Sequence, residues 1–188
     1  MNASAAHFVA VRIEKRSSGH VAHVTVNNPE HRNRLGKAGK AELIAAFTEL
    51  AKDAELRVAV LTGAGDKSFI SGSDLAEMKD LDASGQIEVS TLTHLACDAI
   101  RRLPVPVIAR VNGFCLGSGM ELAASCDMRV ATDASRFGMP EVKFGIPSGM
   151  EACLLPGLVG WGKARELVFT GEFMDAQEAH RCGFVDRL

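Results

Sequence analysis

Hydrophobic positions along the chain follow two periods, one typical of strands and the other typical of helices. Residues 9–15 and 21–26 are rich in β-branched side chains, and a Ser-Ser-Gly turn sequence separates them, so the pair predicts a β-hairpin. From residue 37 to residue 53, apolar side chains recur every three or four positions with polar residues between them. This second period predicts an amphipathic helix that follows the hairpin.

Three short apolar runs later in the chain predict buried strands. They occupy residues 57–63, 106–113 and 127–132. Residues 64–73 are predicted to be a loop and residues 114–119 a turn. Residues 83–102 are expected to form a helix that ends before a Leu-Pro-Val-Pro sequence, because proline cannot continue a helix. From residue 148 the chain is expected to be mostly helical, with two helices that each end at a glycine. Strands alternating with helices predict an α/β fold with parallel crossovers, organised as one domain over residues 1–188.

Composition and charge exclude several classes of function. Of the 188 residues, 47% are hydrophobic and 23% are charged, which predicts a packed core and not a disordered chain. The net charge is −2 with no basic block, so nucleic-acid binding is not expected. No apolar run approaches the roughly 20 residues that span a bilayer. Met1 to Arg16 lack the features of a signal peptide, so a cytoplasmic location without membrane association is expected.

The cysteines and histidines give no sign of a metal site. Five cysteines form no CxxC pair and six histidines show no HxH or HExxH spacing, which favours buried, reduced thiols. Gly113 and Gly117 bracket Cys115 at the spacing of a nucleophile elbow. The later partners would be His180 and then Asp186, which is the reverse of the order that such an elbow requires. A cysteine nucleophile is therefore disfavoured.

Two glycine-bearing segments follow predicted strands. In the first, residues 71–78, Gly72 lets the backbone bend and Asp74 stands where a helix begins. The amides of Ser73 and Asp74 would then point free into a cavity. The alternative is an ordinary loop followed by a capped helix.

The second segment, residues 111–123, carries glycines at positions 113, 117 and 119 between a buried strand and a helix. Glycines let the backbone approach a ligand and leave amides at the helix start open. A phosphate-binding loop is disfavoured because the segment has neither GxGxxG nor a Lys-Ser/Thr pair. Two amides aimed at a thioester oxygen that gains charge fit the pattern better.

Two glutamates follow predicted strand ends. Glu121 lies in an apolar stretch, where burial would raise its pKa toward neutrality, and Glu141 follows Pro140 at a short helix start. Each alone is also explained as an acidic residue that favours the helix dipole. As a pair they can meet at the carboxyl ends of parallel strands, one as base and the other as acid. His94 and His180 are interpreted as surface or packing residues.

The ordered blocks of the chain resemble the crotonase superfamily, the enoyl-CoA hydratases and isomerases. The blocks are HVTVNNPEHRNRL, RVAVLTGAGDKSFISGSDLAEM, PVIARVNGFCLGSGMELAASCDMRVAT, SRFGMPEVKFGIP, LLPGLVGWGKARELVFTGE and DAQEAHRCGFVDRL. The resemblance implies a spiral of ββα units, with parallel sheets flanked by helices, usually assembled as trimers or hexamers. It also implies an acyl-CoA thioester as substrate, in fatty acid metabolism, with no separate cofactor and no metal.

The resemblance assigns roles to particular residues. Glu121 and Glu141 match the two catalytic glutamates of the hydratases, and the amides of Ser73 and Ser118 match the oxyanion-hole donors. The neighbouring residues expected to contact the CoA thioester are Arg34, Gly72, Asp74, Leu75, Gly117 and Gly119. Both glutamates together favour hydration. Isomerisation, thioester hydrolysis, C–C cleavage and a non-catalytic CoA- or RNA-binding relative remain alternatives.

The chain departs from the family pattern in four places. Ser118 stands in the middle of the usual three-glycine stretch, and Arg34 replaces a small residue, where it would meet the CoA phosphates or face solvent. Residues 145–156 form a shorter loop than usual, in which Ser148 and Glu151 are expected to alter specificity. The family normally continues with a C-terminal helical segment, which this sequence is expected to lack because it stops at Leu188.

Overall fold

Two β-sheets organise residues 7–188, the part of the chain that the computed structural model describes. Residues 1–6 lie outside it, and with them the first part of the segment interpreted as lacking a signal peptide. The strands are Val9–Arg16 (β1), Gly19–Val26 (β2), Leu56–Gly63 (β3), Ser68–Ile70 (β4), Val107–Val111 (β5), Phe114–Leu116 (β6), Met128–Ala131 (β7), Arg136–Gly138 (β8) and Phe173–Asp175 (β9). The α-helices are Lys37–Leu50 (α1), Leu75–Met78 (α2), Ala83–Arg101 (α3), Ser118–Ala124 (α4), Leu155–Thr170 (α5) and Ala176–Arg181 (α6). Short 3-10 helices occupy Pro29–His31, Pro140–Phe144 and Met150–Leu154.

The larger sheet has five strands in the order β1-β2-β3-β5-β7. Its first two strands form the predicted antiparallel hairpin, with Val9 opposite Val26, and the other neighbours are parallel. On β2 every second side chain is fully buried, namely Ala22, Val24 and Val26. This alternation places one face of the sheet on the core, as the pleat of a strand requires.

The smaller sheet has four strands in the order β4-β6-β8-β9, of which the first three are parallel. Two of them correct the sequence interpretation, because β4 lies in the segment predicted as a loop and β6 in the segment predicted as a turn. A strand of three residues is too short to show a period of two, and glycines stand beside both. The sequence pattern alone therefore does not distinguish them from loops.

Each later strand of the larger sheet leads to a strand of the smaller sheet and then to a helix. The units are β3-β4-α3, β5-β6-α4 and β7-β8-α5, with short helical turns inserted before α3 and α5. The predicted α/β class and parallel crossovers are thereby confirmed, and so is the spiral of ββα units that the resemblance implied. The two predicted C-terminal helices are α5 and α6, and Gly171 and Gly183 follow them with positive φ values of 65° and 91°.

One core extends across both sheets and includes buried side chains of α1 and α3. Helix α1 buries Leu43, Phe47 and Leu50 along one stripe, and each such side chain contributes about 1.5–3 kcal/mol when fully buried. The same stripe also carries Lys40, whose side chain is only 1% exposed. A lysine in that position needs polar partners, and they are Ser73, in the segment after β4, and the Val89 carbonyl oxygen of α3.

Candidate active site

A cavity of about 550 Å³ opens where three parallel strands of the smaller sheet end. Residues 71–73 follow β4, residues 116–118 end or follow β6, and residues 140–141 follow β8. All three segments line the cavity, together with side chains of α3 and the loop at 146–149. The expectation that the two glutamates meet at the carboxyl ends of parallel strands is therefore met by the geometry.

The first glycine-bearing segment is held by an isolated bridge to Leu35. The Leu35 amide donates to the Gly72 carbonyl oxygen at 3.0 Å, and the Asp74 amide donates to the Leu35 carbonyl oxygen at 3.1 Å. The prediction that the Asp74 amide is free is thus wrong, because this amide donates to Leu35, a residue far away in the sequence. These two bonds leave the amide of Ser73 unused. The Asp74 carboxylate caps α2 by accepting from the Ala76 amide at 3.0 Å, so the alternative of a capped helix also holds.

The second segment turns sharply at Gly117. Its φ of 53° and ψ of −124° lie outside the regions that L side chains adopt. A Cβ added there would lie 2.6 Å from Glu141 Oε1 and 3.9 Å from the Cα of Gly72. The turn therefore brings both glycine-bearing segments and one carboxylate together. Ser118 begins α4 directly after this turn and lines the cavity.

Glu121 is a buried carboxyl on α4, only 2% exposed. Its Oε1 accepts a hydrogen bond from the Ala152 amide at 3.2 Å. Burial raises the pKa of Glu121 to about 7, the charges of Glu141 and Glu151 add to the rise, and the Ala152 amide and Lys40 oppose it. A carboxyl with this pKa exchanges protons at neutral pH.

Glu141 faces the same cavity from the 3-10 helix after β8. Burial raises the pKa of Glu141 above its usual range, and its own amide and the Ser148 hydroxyl oppose the rise. Its Oε2 is buried without a hydrogen-bond partner among the described residues. This oxygen is thus free to bind a water or a substrate group in the cavity.

The expected substrate contacts divide into two groups. Gly72, Leu75 and Gly117 line the cavity, and Leu75 is 42% exposed. The other three, Arg34, Asp74 and Gly119, do not line the cavity. Arg34 Nε lies 2.8 Å from the Asp74 carboxylate, and the Arg34 side chain is 38% exposed. Gly119 lies within α4, where it packs against the Ile70 carbonyl.

The sequence interpretation missed Lys40 and the ion pairs of Glu151, which lie behind the cavity. Lys40 donates from Nζ to Ser73 Oγ at 2.9 Å, and the signal for it was a lysine on the apolar stripe of α1. Glu151, 3% exposed, lies 2.7 Å from His94 Nδ1 and 3.3 Å from an Arg101 guanidinium nitrogen. His94, interpreted as a surface or packing residue, therefore holds a buried carboxylate.

The cysteine predictions are partly corrected. All five cysteines are free, but Cys153 is exposed and Cys182 is half-buried, so burial holds only for the other three. Burial raises the pKa of Cys115 well above its usual range, and His180 hydrogen-bonds to the Val185 carbonyl. The structure therefore offers no activated cysteine there.

Among the described residues, no three His, Cys, Asp or Glu side chains cluster as metal ligands do. None of the described helices combines the length and apolar composition that a membrane crossing requires.

The fold and the cavity together define a member of the enoyl-CoA hydratase/isomerase family. The family model with that description matches residues 16–188, and the chain belongs to this family. It is 41% identical over 171 residues to a short-chain-enoyl-CoA hydratase of Clostridium acetobutylicum, covering 90% of this chain and 66% of that protein. It is 40% identical to a crotonyl-CoA hydratase of Syntrophomonas wolfei, covering 87% of this chain and 63% of that protein.

Solved structures show the same fold. An enoyl-CoA hydratase from Bacillus anthracis superposes with a TM-score of 0.89 at 34% identity, covering 96% of this chain and 69% of that one. DspI of Pseudomonas aeruginosa superposes with a TM-score of 0.90 at 32% identity, covering 99% of this chain and 71% of that one. The chain spans about two thirds of the length of the curated relatives it matches.

Proposed function

We propose that this chain carries the active site of an enoyl-CoA hydratase, a lyase that adds water across the 2,3 double bond of an enoyl-CoA thioester. The observation that supports this most strongly is the pair Glu121 and Glu141. Both have raised pKa values and both line one cavity beside two glycine-bearing segments. The relatives named as short-chain and crotonyl-CoA hydratases support the same reaction class.

The two carboxyls would divide the proton transfers of hydration. With a pKa of about 7, Glu121 is part ionised at neutral pH and can accept a proton from water. The hydroxyl then attacks Cβ, and the π electrons move toward the thioester oxygen to give an enolate. A proton returned by a carboxyl to Cα completes the addition, so one water supplies both new bonds. Glu141, with its free Oε2, would hold the water.

The enolate oxygen would lie between the amides of Ser73 and Ser118. Each follows a strand of the smaller sheet, and a rigid sheet holds such donors in place before the charge develops. Removal of one such donor from an oxyanion hole reduces kcat by roughly 10²–10³-fold in other enzymes. Stabilisation of this oxygen is therefore expected to be a major part of the rate enhancement.

CoA would enter as part of the substrate, and we propose no separate cofactor. Gly72, Leu75 and Gly117 would contact the thioester and the adjoining chain. Arg34 is expected to meet a CoA phosphate with the guanidinium nitrogens that Asp74 leaves free. Arg34→Ala should then raise KM for a CoA thioester but not for the short pantetheine thioester, which lacks those phosphates. An equal rise for both would contradict this contact.

The reaction is tested by loss of the conjugated enoyl-thioester absorbance of crotonyl-CoA. The chain should consume it, and Glu121→Gln and Glu141→Gln should each lose turnover while they still bind the CoA thioester. Glu49→Gln is the matched control, since Glu49 lies exposed on α1 beside Lys52. Unchanged turnover in both site variants would contradict the assignment. Binding without turnover in the parent chain would favour a non-catalytic CoA-binding relative.

The assembly and location are further parts of the proposal. Helix α5 carries two large exposed aromatic side chains outside the cavity lining, Trp161 at 66% and Phe169 at 72% exposure. Exposed apolar surface favours contact with other chains, and on this ground, together with the family resemblance, we propose a homotrimer or hexamer. Light scattering at several concentrations would show a monomer if this is wrong. We also propose a cytoplasmic location, which cell fractionation tests, and a role in fatty acid metabolism.

A further inference from the structure

Lys40 is a fully buried cation directly behind the proposed oxyanion hole. Its side chain is 1% exposed on α1, and Nζ lies 2.9 Å from Ser73 Oγ and 3.4 Å from the Val89 carbonyl oxygen. Both acceptors are neutral. A buried ammonium is strongly disfavoured without a charged partner, so its presence here needs an explanation beyond packing.

The hydrogen bonds from Lys40 have only one possible direction. An ammonium donates and never accepts, so Ser73 Oγ must be the acceptor. The proton of Ser73 is then given to Ser118 Oγ, 3.2 Å away. Ser118 Oγ therefore accepts from Ser73, and its own proton points elsewhere.

Ser118 is the last member of this series of hydroxyls, and both Ser73 and Ser118 line the cavity. It lines the cavity between Gly117 and Glu121, beside the amide that the hydratase mechanism assigns to the enolate oxygen. No described side chain accepts the Ser118 hydroxyl proton. Hydrogen bonds in series strengthen one another, and the series here begins at a positive charge.

We propose that Ser118 presents its hydroxyl proton to the thioester oxygen as a third donor beside the two amides, and that Lys40 is the positioning residue that orients it through Ser73. The proposal rests on the hydratase function and goes beyond it, because it assigns a role to two hydroxyls and a buried cation. It also explains why a serine stands where the family resemblance expects a glycine.

The orientation depends on the protonation of Lys40. Burial lowers the pKa of Lys40 to about 8, and Glu121 on α4, Glu77 on α2 and Cys97 on α3 oppose the fall. Above that pKa the amine becomes neutral and can accept a proton, so the direction of the series is no longer imposed. Enolate stabilisation should thus weaken as the pH rises through about 8.

The first test is a cycle of three variants, Lys40→Met, Ser118→Ala and the double variant. Each single change should lower kcat by about tenfold or more with little change in KM, as loss of a hydrogen bond to a charged group implies. When each variant is compared on the pH plateau above its own acidic limb, which removes the effect of Lys40 on the pKa of Glu121, the double variant should be no slower than Ser118→Ala. Lys40→Met should also lack the alkaline fall near pH 8. Additive losses, or unchanged kcat and pH profile, would overturn the proposal.

A second readout does not require turnover. Bound acetoacetyl-CoA ionises to an enolate with its own ultraviolet absorbance, and donors to the thioester oxygen raise the enolate fraction. That fraction should fall severalfold in Ser118→Ala and equally in Lys40→Met. If the parent chain fails to hydrate crotonyl-CoA but shows these changes, the hydratase function is wrong and the role of Lys40 stands. Equal enolate fractions in all variants overturn the role of Lys40 alone.

A second lysine of α1 provides the control for the substitution of Lys40. Lys37→Met removes a half-exposed lysine that pairs with Glu88, and it should leave kcat and the enolate fraction unchanged. If Lys40→Met does not fold, Ser73→Ala interrupts the same series with a smaller change. Ser73→Ala is expected to reproduce the loss seen in Ser118→Ala, and parent-like behaviour would overturn the proposal.

Discussion

Glu121 acquires its chemistry from its surroundings. An ordinary glutamate is ionised at neutral pH, but burial on α4 and the charges of Glu141 and Glu151 raise the pKa of Glu121 to about 7. The Ala152 amide and Lys40 act in the opposite sense and keep the group ionisable. The pKa is thus set by contacts from three separate parts of the chain.

The contribution of Glu151 can be removed on its own. Below its pKa Glu121 is protonated and cannot accept a proton from water, so kcat/KM should fall as the pH drops through about 7. Glu151→Gln removes a negative charge, which lowers the pKa of Glu121 and should move this acidic limb to lower pH. The pH profile of kcat/KM measures it, with Glu49→Gln as a control that should not move. A limb that stays in place or rises in the folded variant contradicts the electrostatic account.

At the scale of elements, the connection between β6 and α4 sets the distance between the two segments. Gly117 makes this turn with a backbone conformation that only glycine adopts readily, against Glu141 and Gly72. A side chain at position 117 would therefore displace β6, α4 and the Glu141 carboxylate together.

Gly117→Ala should abolish most of the activity and destabilise the fold by roughly 1–3 kcal/mol, since it adds backbone strain and a close contact with Glu141. Urea denaturation and crotonyl-CoA turnover measure the two effects. Gly157→Ala in α5 is the matched control, because a Cβ there meets nothing within 4 Å. The control should be neutral or stabilise by up to about 1 kcal/mol. Equal behaviour of both variants would show that the turn is not constrained.

Lys40 is expected to lower the stability of the element that carries it. A fall of the lysine pKa from 10.5 to about 8 on folding corresponds to a loss of about 3 kcal/mol at neutral pH. Lys40→Met should therefore raise the free energy of unfolding at pH 7 by an amount of that order. Between pH 8 and 10.5 the unfolded chain binds more protons than the folded chain, so the parent regains stability as the pH rises. A difference between parent and variant that stays constant across this window contradicts the burial of a cation.

The larger elements are predictable from the sequence because each carries a local signal. Hydrophobic spacing predicts the hairpin and α1, continuous apolar runs predict β3, β5 and β7, and the Leu-Pro-Val-Pro sequence marks the end of α3. The strands β4 and β6 do not, because three residues beside glycines carry no period. Their place in a sheet depends on pairing with distant strands.

At the scale of the whole molecule, the two sheets have different tasks. Both sheets supply buried side chains to the core, and the smaller sheet in addition presents the site residues from the ends of β4, β6 and β8. This division explains why Glu121 and Glu141 are predictable, since each follows the end of a strand. The contact of Lys40 with Ser73 and that of Glu151 with His94 are not predictable in the same way, because the partners are 33 and 57 residues apart in the sequence.

Hydration is tested most directly by incubating the chain with crotonyl-CoA in oxygen-18 water and analysing the product by mass spectrometry. With the parent chain we expect a 3-hydroxyacyl-CoA that carries one heavy oxygen, and with Glu121→Gln or Glu141→Gln we expect none. A product of unchanged mass whose double bond has moved would show isomerisation instead. A heavy oxygen in a free acid would show thioester hydrolysis, and either result would contradict the two-glutamate hydration proposed for this cavity.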